Sequence, residues 1–151
     1  MTQVYLASGW FNDSQKQMME EIYTVLTRMQ REFGLEIFAP FYNGIVLKPT
    51  DPPKLWEAVF TLDVDKIKTS HLMIANIEGF EPGTIFECGV AWGYKVPVIG
   101  YSSVKGRGLN LMLAQSCIGF ANSQTELNSH ILTFLKNPAI KRINRWMGEP
   151  I

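Results

Sequence analysis

The sequence predicts an α/β fold: a parallel sheet of about five strands with helices on both faces. Short apolar runs alternate with longer stretches of helical periodicity along the whole chain. Two of these runs, His71 to Ile77 and Val96 to Tyr101, read as buried strands that bracket a nearly charge-free helical stretch. The 151 residues are 46% apolar and 19% charged, which suits one compact domain over residues 1–151 with a substantial core.

Val4 to Ala7 is the first strand, and Ser8 to Asp13 its loop. Asn12, Asp13 or Ser14 caps a helix reaching Phe33, because Met18, Met19, Ile22, Val25, Leu26 and Met29 recur at helical spacing and Gly34 ends it. Leu35 to Ala39 is the second strand. Phe41 to Pro53, with Gly44, Pro49, Pro52 and Pro53, reads as an irregular loop long enough to serve as a lid. The next helix opens at Asp51 or Pro52 and ends near Lys68. Its stripe of Trp56, Phe60, Asp63 and Ile67 puts Asp63 in the middle of an apolar, inward face, with Asp65 about 160° away in water. After the third strand come the Glu81–Lys95 helix and the fourth strand. Then follow a Gly/Ser/Lys loop from Ser102 to Leu109, a short helix at Asn110 to Ala114, and a fifth strand from Ile118 to Ala121. Ser123 caps a last amphipathic helix, Glu126 to Lys136. Beyond Pro138 a basic tail helix is expected from Ile140 to Met147.

The stretch from Glu81 to Tyr94 stands out. Its only charge past Glu81 is Glu87, and a lone carboxylate in an apolar helix is costly to bury. With Gly83 or Thr84 as N-cap, Glu87 falls in or near the first turn, where the helix N-terminus favours the ionised form. This is also the carboxyl end of a strand, where ligands bind in open α/β sheets. A charged, partly desolvated carboxylate there is a candidate nucleophile.

Other chemistries are poorly served. The first strand-loop lacks G-x-G-x-x-G, and neither a phosphate-binding P-loop nor a G-x-S-x-G elbow occurs. No His/Cys group has metal-ligand spacing, so neither a metal nor a cofactor is expected. The net charge is zero, which gives no electrostatic case for nucleic acid or membrane. Cys88 and Cys117 lie in apolar contexts and read as buried free thiols, and the N-terminus has no basic region or long apolar run. A cytoplasmic protein is expected. Four Trp and nine Phe at zero net charge fit a chain that buries surface in an oligomer. What remains at the strand ends is a phenol, Tyr5, with the carboxylates Asp63, Glu81 and Glu87. That set suits displacement at an anomeric carbon, one carboxylate attacking while another acid protonates the leaving group.

Four segments carry a resemblance, in order. They are Tyr5-Leu6-Ala7-Ser8-Gly9-Trp10-Phe11, Asp63 ahead of Ile67-Lys68, Gly83-Thr84-(x)2-Glu87-(x)-Gly89-(x)-Ala91, and Asn110-Leu111-Met112. The chain resembles the nucleoside 2-deoxyribosyltransferase family over about residues 3–125, and the Gly-Thr-x-x-Glu-x-Gly-x-Ala segment is the most specific part. The resemblance implies a flavodoxin-like (Rossmann-like) three-layer sandwich. It implies base exchange on 2′-deoxynucleosides through a covalent deoxyribosyl-enzyme, with free purine or pyrimidine bases as partners.

By the same resemblance Glu87 is the nucleophile, Tyr5 orients it, and Asp63 and Glu81 manage the base and its proton. Ser8, Gly9, Trp10, Phe11 and Gly83 line the substrate site. Asn110 and Met112 reach the sugar from a neighbouring subunit, which implies a homo-oligomer, a dimer-based hexamer. The chain departs from the family pattern twice. Glu81, followed by Pro82, stands where Asp is usual, and Asn43-Gly44 stands where close relatives offer Gln to the base, making Asn43 a candidate substitute. Two alternatives follow: a deoxynucleoside or deoxynucleotide N-glycosidase of the same fold, and a non-catalytic nucleoside-binding module. A first loop with Ser8 as its only hydroxyl before Asn12, and without Arg, favours free nucleosides over monophosphates. Plain structural roles compete with each assignment: Glu87 as a surface residue, Asp63 as an ion-pair partner, Tyr5 as core, Asn110 as a helix cap.

Overall fold

Val4 to Ala7 are all buried, and their side chains divide by parity. Val4 and Leu6 join one core with Met19, Ile22 and Leu26, while Tyr5 and Ala7 join another with Ile67, Met73, Cys88 and Ala91. A central strand covered on both faces requires this division. The structure, a computed structural model, describes residues 1–104 and 106–151; Lys105, in the expected 102–109 loop, lies outside the described residues.

In chain order the elements are β1 (Gln3–Ala7), α1 (Asp13–Phe33), β2 (Glu36–Phe38), α2 (Pro40–Asn43), α3 (Pro53–Thr69), β3 (Leu72–Asn76), α4 (Pro82–Gly93), β4 (Val98–Tyr101), α5 (Leu111–Ser116), β5 (Gly119–Ala121) and α6 (Gln124–Lys136). The five strands are all parallel, in the order β2-β1-β3-β4-β5. The chain leaves β1 to place β2 on one side and then crosses to place β3 on the other. The switch point therefore lies between β1 and β3, and a crevice opens beyond their carboxyl ends. Helix α1 begins where Asn12 Oδ1 accepts the Gln15 N–H at 2.8 Å, and it ends at Gly34, whose φ of 71° suits a residue without Cβ.

Four expectations are corrected. The 41–53 loop opens with a helical turn, α2, because Pro40 presets its first residue and Asn43 ties it down. Helix α4 is capped by Glu81 rather than Gly83 or Thr84, since the longer carboxylate reaches back over the first turn. Only Ile67 of the α3 stripe is fully buried. Trp56 and Phe60 are 50% and 58% exposed, because α3 packs inward through Val59 and Ile67 and leaves Phe60 beside Phe86 on the outer surface. The tail helix is absent. Residues 140–151 are irregular, with several bends, and their backbone bonds go to neighbouring segments instead: Ile143 N–H to Ile118, Leu109 N–H to Glu149, Ile151 N–H to Leu109 and Leu111 N–H to Ile151. Trp146 packs edge-on against Phe120 and donates its indole N–H to the Arg107 carbonyl at 2.8 Å.

Candidate active site

Tyr5 is completely buried on the face of β1 that meets α3 and α4, and its ring lies 5.7 Å from that of Phe38. Its hydroxyl donates to Glu87 Oε2. Glu87 sits in the second turn of α4, two or three residues deeper than expected, so the helix N-terminus does not hold it ionised. Burial instead pushes its carboxyl up to about 8. The Tyr5 hydrogen bond opposes that shift, and the charges of Asp63 and Glu81 add to it. The expectation of a permanently ionised Glu87 is thereby corrected. Burial first, then Glu87, also drives the Tyr5 phenol far above its ordinary range, so it stays a donor.

Asp63 lies half-buried on α3. Burial raises its carboxyl to about 6, and its Oδ1 is buried without a hydrogen-bond partner among the described residues. It acts on both Tyr5 and Glu87 through charge, so the three groups form one electrostatic unit. Asp65 is exposed and pairs with Lys68 at 3.8 Å, as its opposite position on the wheel requires.

Glu81 is committed elsewhere. Its Oε1 accepts the Gly83 N–H at 3.0 Å. Its Oε2 accepts the Thr84 N–H at 2.7 Å and the Thr84 hydroxyl at 3.0 Å. Three donors therefore fasten the Glu81 side chain over the first turn of the helix. Gly83 supplies one of those N–H groups. A Cβ there would sit 3.1 Å from the carboxylate.

The first loop lies against Glu81. A Cβ on Gly9 would come within 2.7 Å of both Glu81 Cγ and Gln15 Oε1, so this close approach requires glycine. Ser8 is buried and donates to the Gly9 carbonyl at 2.7 Å. Trp10 is half-buried, with its ring 5.2 Å from Phe11 and 5.4 Å from Phe41, which makes an aromatic wall with Phe11 at its exposed end. Asn43 is not brought to this wall. Its Nδ2 donates to the Ile37 carbonyl at 2.8 Å and its Oδ1 accepts the Ala39 N–H at 2.7 Å, so its amide is spent pinning α2.

Asn110 caps α5 by accepting the Met112 N–H at 2.9 Å, and Met112 is 77% exposed. Both border a largely apolar groove of about 730 Å³ with Ile85, Cys88, Gly89 and Trp92 of α4. Those α4 positions lie roughly 100–160° round the helix from Glu87. Within one chain, Asn110 and Met112 therefore flank the far side of α4 from Glu87.

Sequence reading missed three residues around this site. Asn76 ends the buried third strand, Gln15 is an inward polar residue one turn before Met18, and Arg107 stacks its guanidinium 4.6 Å above the Phe80 ring. A polar residue closing an apolar run was the available signal for Asn76. Arg107 had no local signal, and it places an arginine one residue from Glu81 through Phe80. Cys88 and Cys117 are buried free thiols, and burial pushes both well up. Among the described residues no cluster could hold a metal ion, and no helix is long and apolar enough to cross a membrane.

No curated protein sequence matches the chain. Solved structures do. A 2-deoxyribosyltransferase from the psychrotolerant bacterium Bacillus psychrosaccharolyticus superimposes with a TM-score of 0.77 at 23% identity, covering 95% of this chain and 100% of that one. A conserved protein from Enterococcus faecalis gives 0.70 at 17% identity, over 88% and 98% of the two chains. A CMP N-glycosidase from Clostridium botulinum gives 0.57 at 21% identity, over 87% and 99%. These likenesses establish the shared fold. The sequence itself matches the family described as Nucleoside 2-deoxyribosyltransferase over residues 4–136. On that match, spanning most of the chain and every residue of the Tyr5–Asp63–Glu87 unit, the chain belongs to the nucleoside 2-deoxyribosyltransferase family.

Proposed function

We propose that this protein exchanges the base of 2′-deoxynucleosides through a covalent deoxyribosyl–Glu87 intermediate. The observation that carries the reading is the buried Tyr5 hydroxyl bonded to Glu87, with the half-buried, unpartnered Asp63 beside them. Glu87 attacks C1′, the N-glycosidic bond breaks, and the electron pair leaves with the base. Asp63 gives that base its proton, since a carboxyl raised to about 6 retains an acid fraction near neutral pH. A second base reverses both steps. Between about pH 6 and 8 the pair holds one proton, and the productive arrangement places it on Asp63 while Tyr5 stabilises ionised Glu87. Glu81 anchors the start of α4 and takes no part in proton transfer, which revises its expected role.

The reading extends to assembly and location. Trp56, Phe60, Phe86, Trp92 and Met112 are all at least half exposed, an apolar surface of the kind that oligomers cover. A homo-oligomer, as a dimer-based hexamer, would bring Asn110 and Met112 of one subunit to the sugar bound by another. The protein would work in the cytoplasm, on free nucleosides and bases, without cofactor or metal.

Incubation with 2′-deoxyinosine, with and without adenine, separates the alternatives. New deoxyadenosine is the expected result. Hypoxanthine release independent of adenine would instead support the N-glycosidase reading, and binding without any chemistry would support the binding-module reading.

A further inference from the structure

Two glutamates bracket a strained turn. Between Glu78 and Glu81, Gly79 and Phe80 both adopt left-handed backbone, with φ of 73° and 52°. Phenylalanine rarely takes this conformation, and such residues persist only where their surroundings fix them. Here the surroundings are a buried polar network. Asn76, 1% exposed, accepts the Glu78 N–H at 3.1 Å and donates to Ser8 Oγ at 2.9 Å and to the Gln15 carbonyl at 3.0 Å. Glu78 Oε2 accepts the Ser102 hydroxyl at 2.8 Å, which ties the turn to the end of β4. Gln15 Oε1 in turn accepts the Phe11 N–H at 3.1 Å.

One amide thus joins the first loop, the start of α1 and the turn that delivers Glu81. We propose that Asn76 is a positioning residue: it holds the Ser8–Phe11 loop at a fixed distance from Glu81 and so sets the width of the substrate mouth in front of Glu87. The inference rests on the proposed nucleoside-binding reading but assigns a residue that does not itself touch substrate. Its geometric basis is the Gly9 approach, where no room remains even for a methyl group between the loop and the Glu81 side chain. Asn76 is the side chain that bonds to both sides of that approach. Its low exposure makes a solvating role impossible, and every polar atom of its amide is engaged inside the protein.

The test uses Asn76→Asp, which keeps the acceptor for Glu78 and removes both donated bonds. Two readouts decide. Amide exchange in the ligand-free protein should accelerate at least tenfold at Phe11 and across Glu78–Thr84, with the sheet still protected. KM for 2′-deoxynucleoside should rise at least tenfold while kcat changes less than threefold. Unchanged local exchange, or an unchanged KM in a folded variant, overturns the proposal; so does uniform loss of protection with normal kinetics in the folded fraction. Should Asn76→Asp not fold, Ser8→Ala removes the Asn76 acceptor together with the bond to the Gly9 carbonyl and should raise KM at least threefold; no change overturns the proposal equally. A wild-type protein with neither transfer nor hydrolysis defeats the functional reading alone, because the exchange measurement still decides whether Asn76 couples loop and turn.

Discussion

Glu81 and Glu87 stand six residues apart on one helix, and the protein treats them oppositely. Glu81 lies at the N-terminus of α4, where two backbone N–H groups and the Thr84 hydroxyl hold its carboxylate. Glu87 lies nearly two turns further along, against the sheet, with one phenol as its hydrogen-bond partner, and burial raises its carboxyl to about 8. The number of donors and the depth of burial set the two apart: Glu81 is anchored at the helix start, and Glu87 is poised to change charge. An anchored side chain organises a site. A poised carboxylate beside a second one can trade a proton and attack.

The sharpest way to break this contrast is to remove the poised member. Glu87→Ala should cost at least about three orders of magnitude in turnover, the scale lost with a deleted nucleophile, while Glu81→Ala should leave measurable activity. Near-wild-type turnover in Glu87→Ala would reverse the roles assigned here.

Stability against pH gives the next largest effect. Glu87 is raised from 4.5 to about 8, so its protonated form suits the fold. Its favourable contribution is complete below about pH 4.5 and is lost as pH rises through about 8. Glu87→Gln should therefore gain stability over wild type at pH 9 relative to pH 5, by as much as roughly 4 kcal/mol, read by denaturant titration. A gain independent of pH would mean that Glu87 is not held protonated.

Tyr5→Phe removes the one contact that lowers Glu87. The shared proton should then settle on Glu87. The plateau of kcat/KM is expected to fall about 10- to 100-fold, and the alkaline limb to move above about 8. An unmoved limb would detach Tyr5 from the titration. The smallest effect concerns the anchor. Glu81→Ala should cost about 1–2 kcal/mol through the lost cap and shift the alkaline limb of kcat/KM downward, because the Glu81 charge raises Glu87.

The layout of this contrast was readable in the sequence to different depths. Parity and helical spacing gave the five strands and the long helices, because burial on both faces leaves near-continuous apolar runs. A lone charge in an apolar helix exposed Glu87, and the i, i+4, i+7 stripe exposed Asp63. The depth of Glu87 was not readable. It depends on Glu81 rather than Gly83 taking the cap, a choice made by side-chain reach in three dimensions. The same limit hid Asn76, whose partners Ser8 and Gln15 are more than 60 residues away in sequence. The outward stripe of Trp56 and Phe60 misled for a related reason: spacing reports that a face is apolar, not what covers it. The tail misled because Ile143 and Trp146 pack against the two different cores beside β5, a spacing that periodicity reads as a helix.

The central claim is that Glu87 becomes covalently bonded to the sugar. Rapid acid quenching during turnover with a deoxynucleoside whose sugar carries a 2-fluoro group, which slows breakdown of the glycosyl-enzyme, followed by intact-mass and peptide analysis, tests it most directly. One glycosyl increment per chain is expected, located on Glu87 and absent from Glu87→Gln. Steady turnover with no adduct, or an adduct on another residue, would contradict it.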